Sequence, residues 1–286
     1  MRDLPHSTPR TRTTRGYAGS HQRAWLWGRH AVLETLAAAR WPVLELFISD
    51  ALANPDLLSL QQAAARLSLP LQTVSGLRLE QLCRQPDHQG VAARMGPFPI
   101  ESISELTIAL RTSNATFTGP SVSIATAPLY VMLDRIQDPW NFGAILRSCD
   151  AVRASGVIIG TSSQSSVTPH VARASSGAVN HLQIFQTDDL VQTLVMFRLA
   201  GFRIAAASEK SPNLLWDTPL SGPLLLIIGS EALGVAPELL ASTDVQAAIP
   251  MLGSITSLNA AVAAGILLYE CRRQSGLSSW ERPHAH

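Results

Sequence analysis

The stretch Ile249–Arg273, IPMLGSITSLNAAVAAGILLYECRR, limits the possible folds more than any other part of the chain. It joins a short apolar strand end, a Pro and a Gly, a small polar loop and a long apolar helix. Ser257 is a candidate N-cap, because its hydroxyl oxygen can accept from the orphan amides of a first helical turn. Arg272 and Arg273 fall where a helix's negative end favours cations, and Gly276 follows as a stop. Between these caps the helix is apolar on nearly every face. A surface helix carries one apolar stripe, so this one is expected to be buried all round, in a core or a subunit interface. The Gly/Ser/Thr/Asn loop before it has free backbone groups that can line a pocket for a small polar ligand.

The whole chain, 286 residues, suits one large or two small domains. With 46% hydrophobic residues it can build a core, and a formal net charge of +1 excludes an overall polycation. Its basic residues are 21 Arg and the single Lys210. Arginine is the better fork for phosphate, although genome base composition explains the bias equally well. Cys83, Cys149 and Cys271 are odd in number and widely spaced, matching neither a disulfide framework nor a zinc pattern, which points to a reducing compartment and a cytoplasmic protein without a metal. No apolar run approaches the roughly 20 residues that span a bilayer, so no membrane partner is expected.

In chain order, residues 1–24 read as a disordered basic tail, with five Arg against one acid. A basic arm grazing RNA is the functional alternative; a transit peptide would need an amphipathic apolar face that the tail lacks. Residues 25–97 alternate strand and helix patterns: an apolar patch and Gly28, a helix over Val32–Ala37, a strand over Val43–Ser49, a helix over Leu57–Leu67, a strand over Leu71–Val74, a short helix over Leu77–Cys83 and a last strand over Val91–Arg94. They make a small α/β domain. Residues 98–127 read as a Pro- and Ser/Thr-rich linker without periodicity. Residues 128–275 form a second α/β unit, with strands over Leu129–Leu133, Gly156–Ile159, Leu182–Phe185, Arg203–Ala207, Leu224–Ile228 and Gln246–Ile249. Helices are expected over Gly143–Val152, Ala172–Ala178, Leu190–Leu199 and Ala236–Ala241, and residues 276–286 are a short tail. Runs as apolar as LLLII belong to parallel strands covered on both faces, and ligands in such sheets sit beyond the carboxyl ends of the strands.

Three loops at such ends are polar in particular ways. After Leu133 comes DRIQDPWNFGAILR, with Asn141 and, within the following helix, Arg147. After Ile228 comes GSEALGV, in which Gly229 permits close backbone approach, Glu231 adds a carboxylate and Gly234 tolerates an unusual dihedral. After Ile249 comes PMLGSITSLN, ending in Ser257 and Asn259. Each alone is an ordinary turn, helix cap or solvated residue. Together, at the mouths of successive apolar strands, they are far less expected by chance.

In these segments the chain resembles the SpoU (TrmH) family of the SPOUT class, which methylates ribose 2′-hydroxyls of RNA with S-adenosyl-L-methionine. The resemblance covers roughly Leu129–Arg273. The N-terminal part, with Gly28-Arg29-His30 and His88-Gln89-Gly90, is similar to that family's ribosomal-protein-like substrate-binding domain, a pairing that looks most like the RlmB-type 23S rRNA guanosine methyltransferases. The resemblance implies an α/β fold with a SPOUT-type deep C-terminal trefoil knot, a homodimer, and an RNA partner, rRNA before tRNA. It implies cofactor contacts at Gly229, Ile249, Met251 and Leu258, and catalytic roles for Asn141, Arg147, Glu231, Ser257 and Asn259. A guanidinium holds its proton in proteins, so Arg147 is expected to fork to the phosphate beside the target ribose rather than act as a base. Arg29, His30, His88, Gln89, Arg135 and Arg173 are candidate RNA contacts, although each also suits a turn or a cap. A non-catalytic RNA-binding protein of the same fold and an unrelated α/β nucleotide-binding enzyme are the competing readings.

Overall fold

The computed structural model describes residues 25–117 and 127–276; the basic tail and residues 277–286 lie outside them. The first unit runs β1 (Trp25–Trp27), α1 (Arg29–Ala38), β2 (Val43–Ser49), α2 (Asn54–Arg66), β3 (Leu71–Val74), α3 (Gly76–Cys83) and β4 (Val91–Met95). Its sheet has the order β1-β4-β2-β3, with β4 antiparallel to β1 and β2, and β3 parallel to β2. Trp25–Trp27, read from sequence only as an apolar patch, is an edge strand. Gly28, at φ 90°, turns the chain from it directly into α1, a backbone state that costs a side-chain-bearing residue far more.

The stretch expected to be a structureless linker instead carries α4 (Ile103–Phe117). Ser102 and Glu105 form a reciprocal capping box at its start, and Leu106 and Leu110 anchor it on the second sheet. There follow β5 (Leu129–Asp134), α5 (Pro139–Ala151), β6 (Gly156–Gly160), α6 (Pro169–Ala174), β7 (Ile184–Thr187), α7 (Leu190–Leu199), β8 (Arg203–Ala207), β9 (Leu224–Gly229), α8 (Pro237–Leu240), β10 (Val245–Ala247) and α9 (Ala260–Gln274). The region expected as a helix over Ala172–Ala178 divides into α6 and a separate 3-10 turn, because Gly177 takes a left-handed conformation. Ile249 lies past the end of β10, in the loop.

The six strands are all parallel, in the order β10-β8-β9-β5-β6-β7. Strand alternation divides the apolar material into two layers. Leu129, Val131, Leu133, Leu224, Leu226 and Ile228 face the side packed by α5 and α9, and this core continues into the first unit through Leu26, Val32 and Leu36. Tyr130, Met132, Leu225 and Ile227 face α4 and α7. The chain leaves β5 toward β7 and returns through β8 and β9, so β5 and β9 lie side by side at a topological switch point.

Three features of the final helix differ from expectation. Its N-cap is Asn259, not Ser257: the Asn259 carboxamide oxygen accepts from the amides of Ala261 (2.9 Å) and Val262 (3.3 Å). Nor is the helix buried all round in the single chain. Ala264, Leu267, Leu268 and Cys271 are enclosed, whereas Val262 and Tyr269 are 52% and 54% exposed. Arg272 does not sit free at the helix end. It is buried and donates from all three guanidinium nitrogens, to the carbonyls of Val152 (2.7 Å), Ala127 (2.8 Å) and Arg153 (2.7 Å), tying α9 to the end of α5.

Candidate cofactor cleft and catalytic cluster

Three loops meet at the carboxyl ends of β5, β9 and β10. Asp138 caps α5, accepting from the amides of Trp140 (3.3 Å) and Asn141 (3.1 Å), and Pro139 at the first helical position suits that start. Asn141 is thereby fixed in the first turn. Its Nδ2 donates to Glu231 Oε1, and its Oδ1 accepts from Asn259 Nδ2 at 2.9 Å. The same Asn259 that caps α9 therefore joins Asn141, which in turn holds Glu231. One residue from each of the three polar loops enters a single hydrogen-bonded chain.

The loop after β9 is a tight curl. Gly234 N donates to Ser230 O at 2.9 Å, and Gly234 has φ 65°. A Cβ on Gly229 would overlap the backbone of Gly234 and Val235, so only glycine allows the curl to close. The loop is clamped by a residue that sequence reasoning passed over. Buried Asp134, the last residue of β5, accepts from Ala236 N at 2.7 Å and from Arg135 Nε and Nη2 at 2.9 Å each. Arg135 also donates to Gly234 O at 3.2 Å, and the bonds it donates to Asp134 raise its pKa above the usual arginine value. An acid closing a wholly apolar strand was the available signal.

Beneath this cluster lies a cleft of about 450 Å³. Gly229, Ile249, Met251 and Leu258 all line it, and so do Glu231 and Ser257. Ala207, Ser208, Glu209 and Lys210, after β8, complete the wall and were not anticipated. A wall that mixes apolar side chains with polar groups and free loop backbone suits an adenine ring and a polar tail, which is how S-adenosylmethionine is built. Among the described residues no group of three or more His, Cys, Asp or Glu is arranged to hold a metal ion, and no helix is long and apolar enough to cross a membrane.

Arg147 stands apart. It is exposed on α5, has no side-chain partner among the described residues and does not line the cleft. Six residues along a helix turn the side chain about 240° from Asn141. Most of the candidate RNA contacts are engaged within the chain. Arg29 pairs with Asp56, and its amide donates to Gln89 Oε1 at 3.1 Å. His88 Nδ1 accepts from Gly90 N at 3.0 Å. Arg173 Nη2 pairs with Asp87 at 2.8 Å. His30 is exposed with no such bond.

Comparison with known proteins agrees with this arrangement. Residues 128–269 match the SpoU rRNA methylase family, and residues 25–100 match the substrate-binding domain of RNA 2′-O-ribose methyltransferases. A Staphylococcus haemolyticus protein named for the TrmH family of tRNA/rRNA methyltransferases is 31% identical over 86% of this chain and 94% of its own. A crystal structure of an RNA 2′-O-ribose methyltransferase superposes with a TM-score of 0.67 and 27% identity, covering 88% of this chain and 89% of that one. The SpoU methyltransferase AviRb of Streptomyces viridochromogenes, solved with its cofactor S-adenosylmethionine, gives 0.69 and 25%, covering 89% and 91%. A parallel sheet whose switch-point loops converge over such a cleft, joined to this substrate-binding unit, defines a SPOUT-class RNA methyltransferase that uses S-adenosylmethionine. Within that class, the chain belongs to the SpoU/TrmH family of RNA 2′-O-ribose methyltransferases.

Proposed function

We propose that this enzyme methylates a guanosine ribose of 23S rRNA, working in the cytoplasm as a homodimer, with its final segment threaded as a trefoil knot. The observation that carries the catalytic reading is the Asn259–Asn141–Glu231 chain above the cleft. The bound cofactor supplies an electrophilic methyl group on a sulfonium. The protein's task is to bring a ribose oxygen in line with it, and such orientation is worth roughly 7–11 kcal/mol. Gly229, Ile249, Met251 and Leu258 hold the cofactor through backbone and apolar contact. Glu231 fixes the Asn141 carboxamide, and Ser257 and Asn259 shape the ribose side of the loop. Arg147 forks to the phosphate next to the target ribose and sets its hydroxyl.

The dimer is supported by apolar side chains left exposed on α5 and α9: Trp140 is 60% exposed, and Val262 and Tyr269 are half-exposed. Pairing there also gives a route for an Arg147 that does not enter its own chain's cleft to serve another's. The rRNA assignment leans on the two-domain layout, a substrate-binding domain ahead of the methylase domain; the relatives' names join tRNA and rRNA and do not choose between them.

Mapping ribose methylation in rRNA and tRNA from a deletion strain tests the substrate. The expected result is loss of one 23S guanosine mark; loss of a tRNA mark with rRNA unchanged would overturn it. Arg147→Lys keeps the charge and loses the planar fork, so turnover is expected to fall at least about tenfold. Near-normal turnover of that variant would rule out the fork.

A further inference from the structure

Arg173 was a candidate for touching RNA, yet the fold puts it to another use. We propose that Arg173 is a positioning residue, which locks the RNA-binding unit onto the helix carrying Asn141 and Arg147 and so sets how the substrate ribose meets the cleft. The inference rests on the RNA methyltransferase reading and concerns residues outside the cleft.

The seam is built around Trp27, at the end of β1. The Arg173 guanidinium lies over the Trp27 ring, 4.6 Å from its centroid. Asp87, in the loop before β4, accepts from both: from Arg173 Nη2 at 2.8 Å and from Trp27 Nε1 at 3.0 Å. His170 packs edge-on against the same ring at 4.8 Å. Trp27 and Asp87 belong to the RNA-binding unit, and Arg173 and His170 to α6 of the methyltransferase unit, so four side chains close one knot of contacts across the boundary. The Arg173 bond holds the Asp87 carboxyl below the ordinary aspartate range, while burial, followed by the charge of Arg173, lowers His170. Arg173 keeps only 22% of its side-chain surface exposed. A planar guanidinium stacked on an indole while one of its nitrogens bonds a carboxylate is a fixed geometry that a lysine ammonium does not reproduce.

The contact does not stop at α6. Gly143, in the NFGAILR segment of α5, sits so close to α6 that a Cβ there would meet Ala174 Cβ and lie 2.9 Å from both Ser175 N and Val171 O. Helix α6 is therefore pressed backbone to backbone against α5, two residues beyond Asn141. Any tilt of the RNA-binding unit at Trp27 passes through Arg173 to α6 and from there to the catalytic helix.

Asp87→Asn separates this role from a direct RNA contact, because the two predict opposite signs. A phosphate-binding Arg173 freed from its carboxylate would bind RNA more tightly and with a steeper salt dependence. A positioning Arg173 deprived of its anchor would misplace the RNA. We expect kcat/KM for RNA to fall about 10- to 100-fold, with the Kd for S-adenosylmethionine and the salt slope of RNA binding unchanged. Amide exchange should accelerate at Trp27–Arg29 and along α6. Arg173→Lys should share the loss, although it keeps the charge. Tighter RNA binding by Asp87→Asn, or full activity in Arg173→Lys, would overturn the proposal. Wild-type protein that methylates no RNA would sink the functional reading alone, whereas unaltered exchange across the seam in both variants would sink this one alone.

Discussion

Replacing Gly143 by alanine sets two known effects against each other. In an open helix interior the change stabilises by about 1 kcal/mol, because alanine loses less backbone freedom on folding. Gly143 is the fifth of thirteen residues in α5, where that gain would apply in full. The added Cβ, however, would meet Ala174 Cβ and stand 2.9 Å from Ser175 N and Val171 O. Two of these three neighbours are backbone atoms and cannot rotate away, so α5 and α6 must separate. Overpacking of this kind costs about 1–3 kcal/mol, so the net change is a destabilisation of about 1 kcal/mol. At roughly 2–4 °C per kcal/mol for a domain of this size, Tm should fall a few degrees. Function should suffer more than stability, since Asn141 and Arg147 ride on α5 and a shift near 1 Å can cost about 100-fold in rate. Urea unfolding followed by tryptophan fluorescence, paired with single-turnover methyl transfer at saturating cofactor, reads both. A variant at least as stable as the wild type, with unchanged turnover, would refute the claim that close helix contact demands glycine here.

Gly229→Ala should open the curl after β9, since its Cβ would overlap the Gly234–Val235 backbone; calorimetry should show cofactor affinity reduced by about 2 kcal/mol, near 30-fold. Arg272→Ala strands three carbonyls that the buried guanidinium now serves, and urea titration should register a loss of about 3 kcal/mol or more. Burial raises the thiol pKa of Cys83, Cys149 and Cys271, that of Cys271 to about 12, so a disulfide reagent at pH 8 should find essentially no reactive thiol in native protein and three after denaturation. Unfolded cysteines ionise near pH 9 while the native ones stay protonated, so above that pH the unfolded state binds fewer protons and stability should fall as pH rises; a flat stability profile from pH 8 to 10 would contradict the burial.

Much of the site was legible in the sequence because its signals are local. Gly229, Ile249, Met251 and Leu258 line the cleft, and Asn141, Glu231 and Asn259 meet above it, since each follows an apolar strand whose parallel packing brings its carboxyl end beside the others. Some local signals went unread. Ser102-x-x-Glu105 marks the start of α4, but the polar run after it hid the helix. Ser257 and Asn259 are both good caps on composition, and only the path of the loop selects Asn259. What no window of sequence contains is the partner far along the chain. Asp87 lies 86 residues from Arg173, and Ala127 lies 145 from Arg272. Propensity, caps and turn chemistry are properties of neighbours, and they determined the class of fold and the loops that bear chemistry. Which cations were left free for RNA, and which were used to fasten one layer to another, was decided by packing alone.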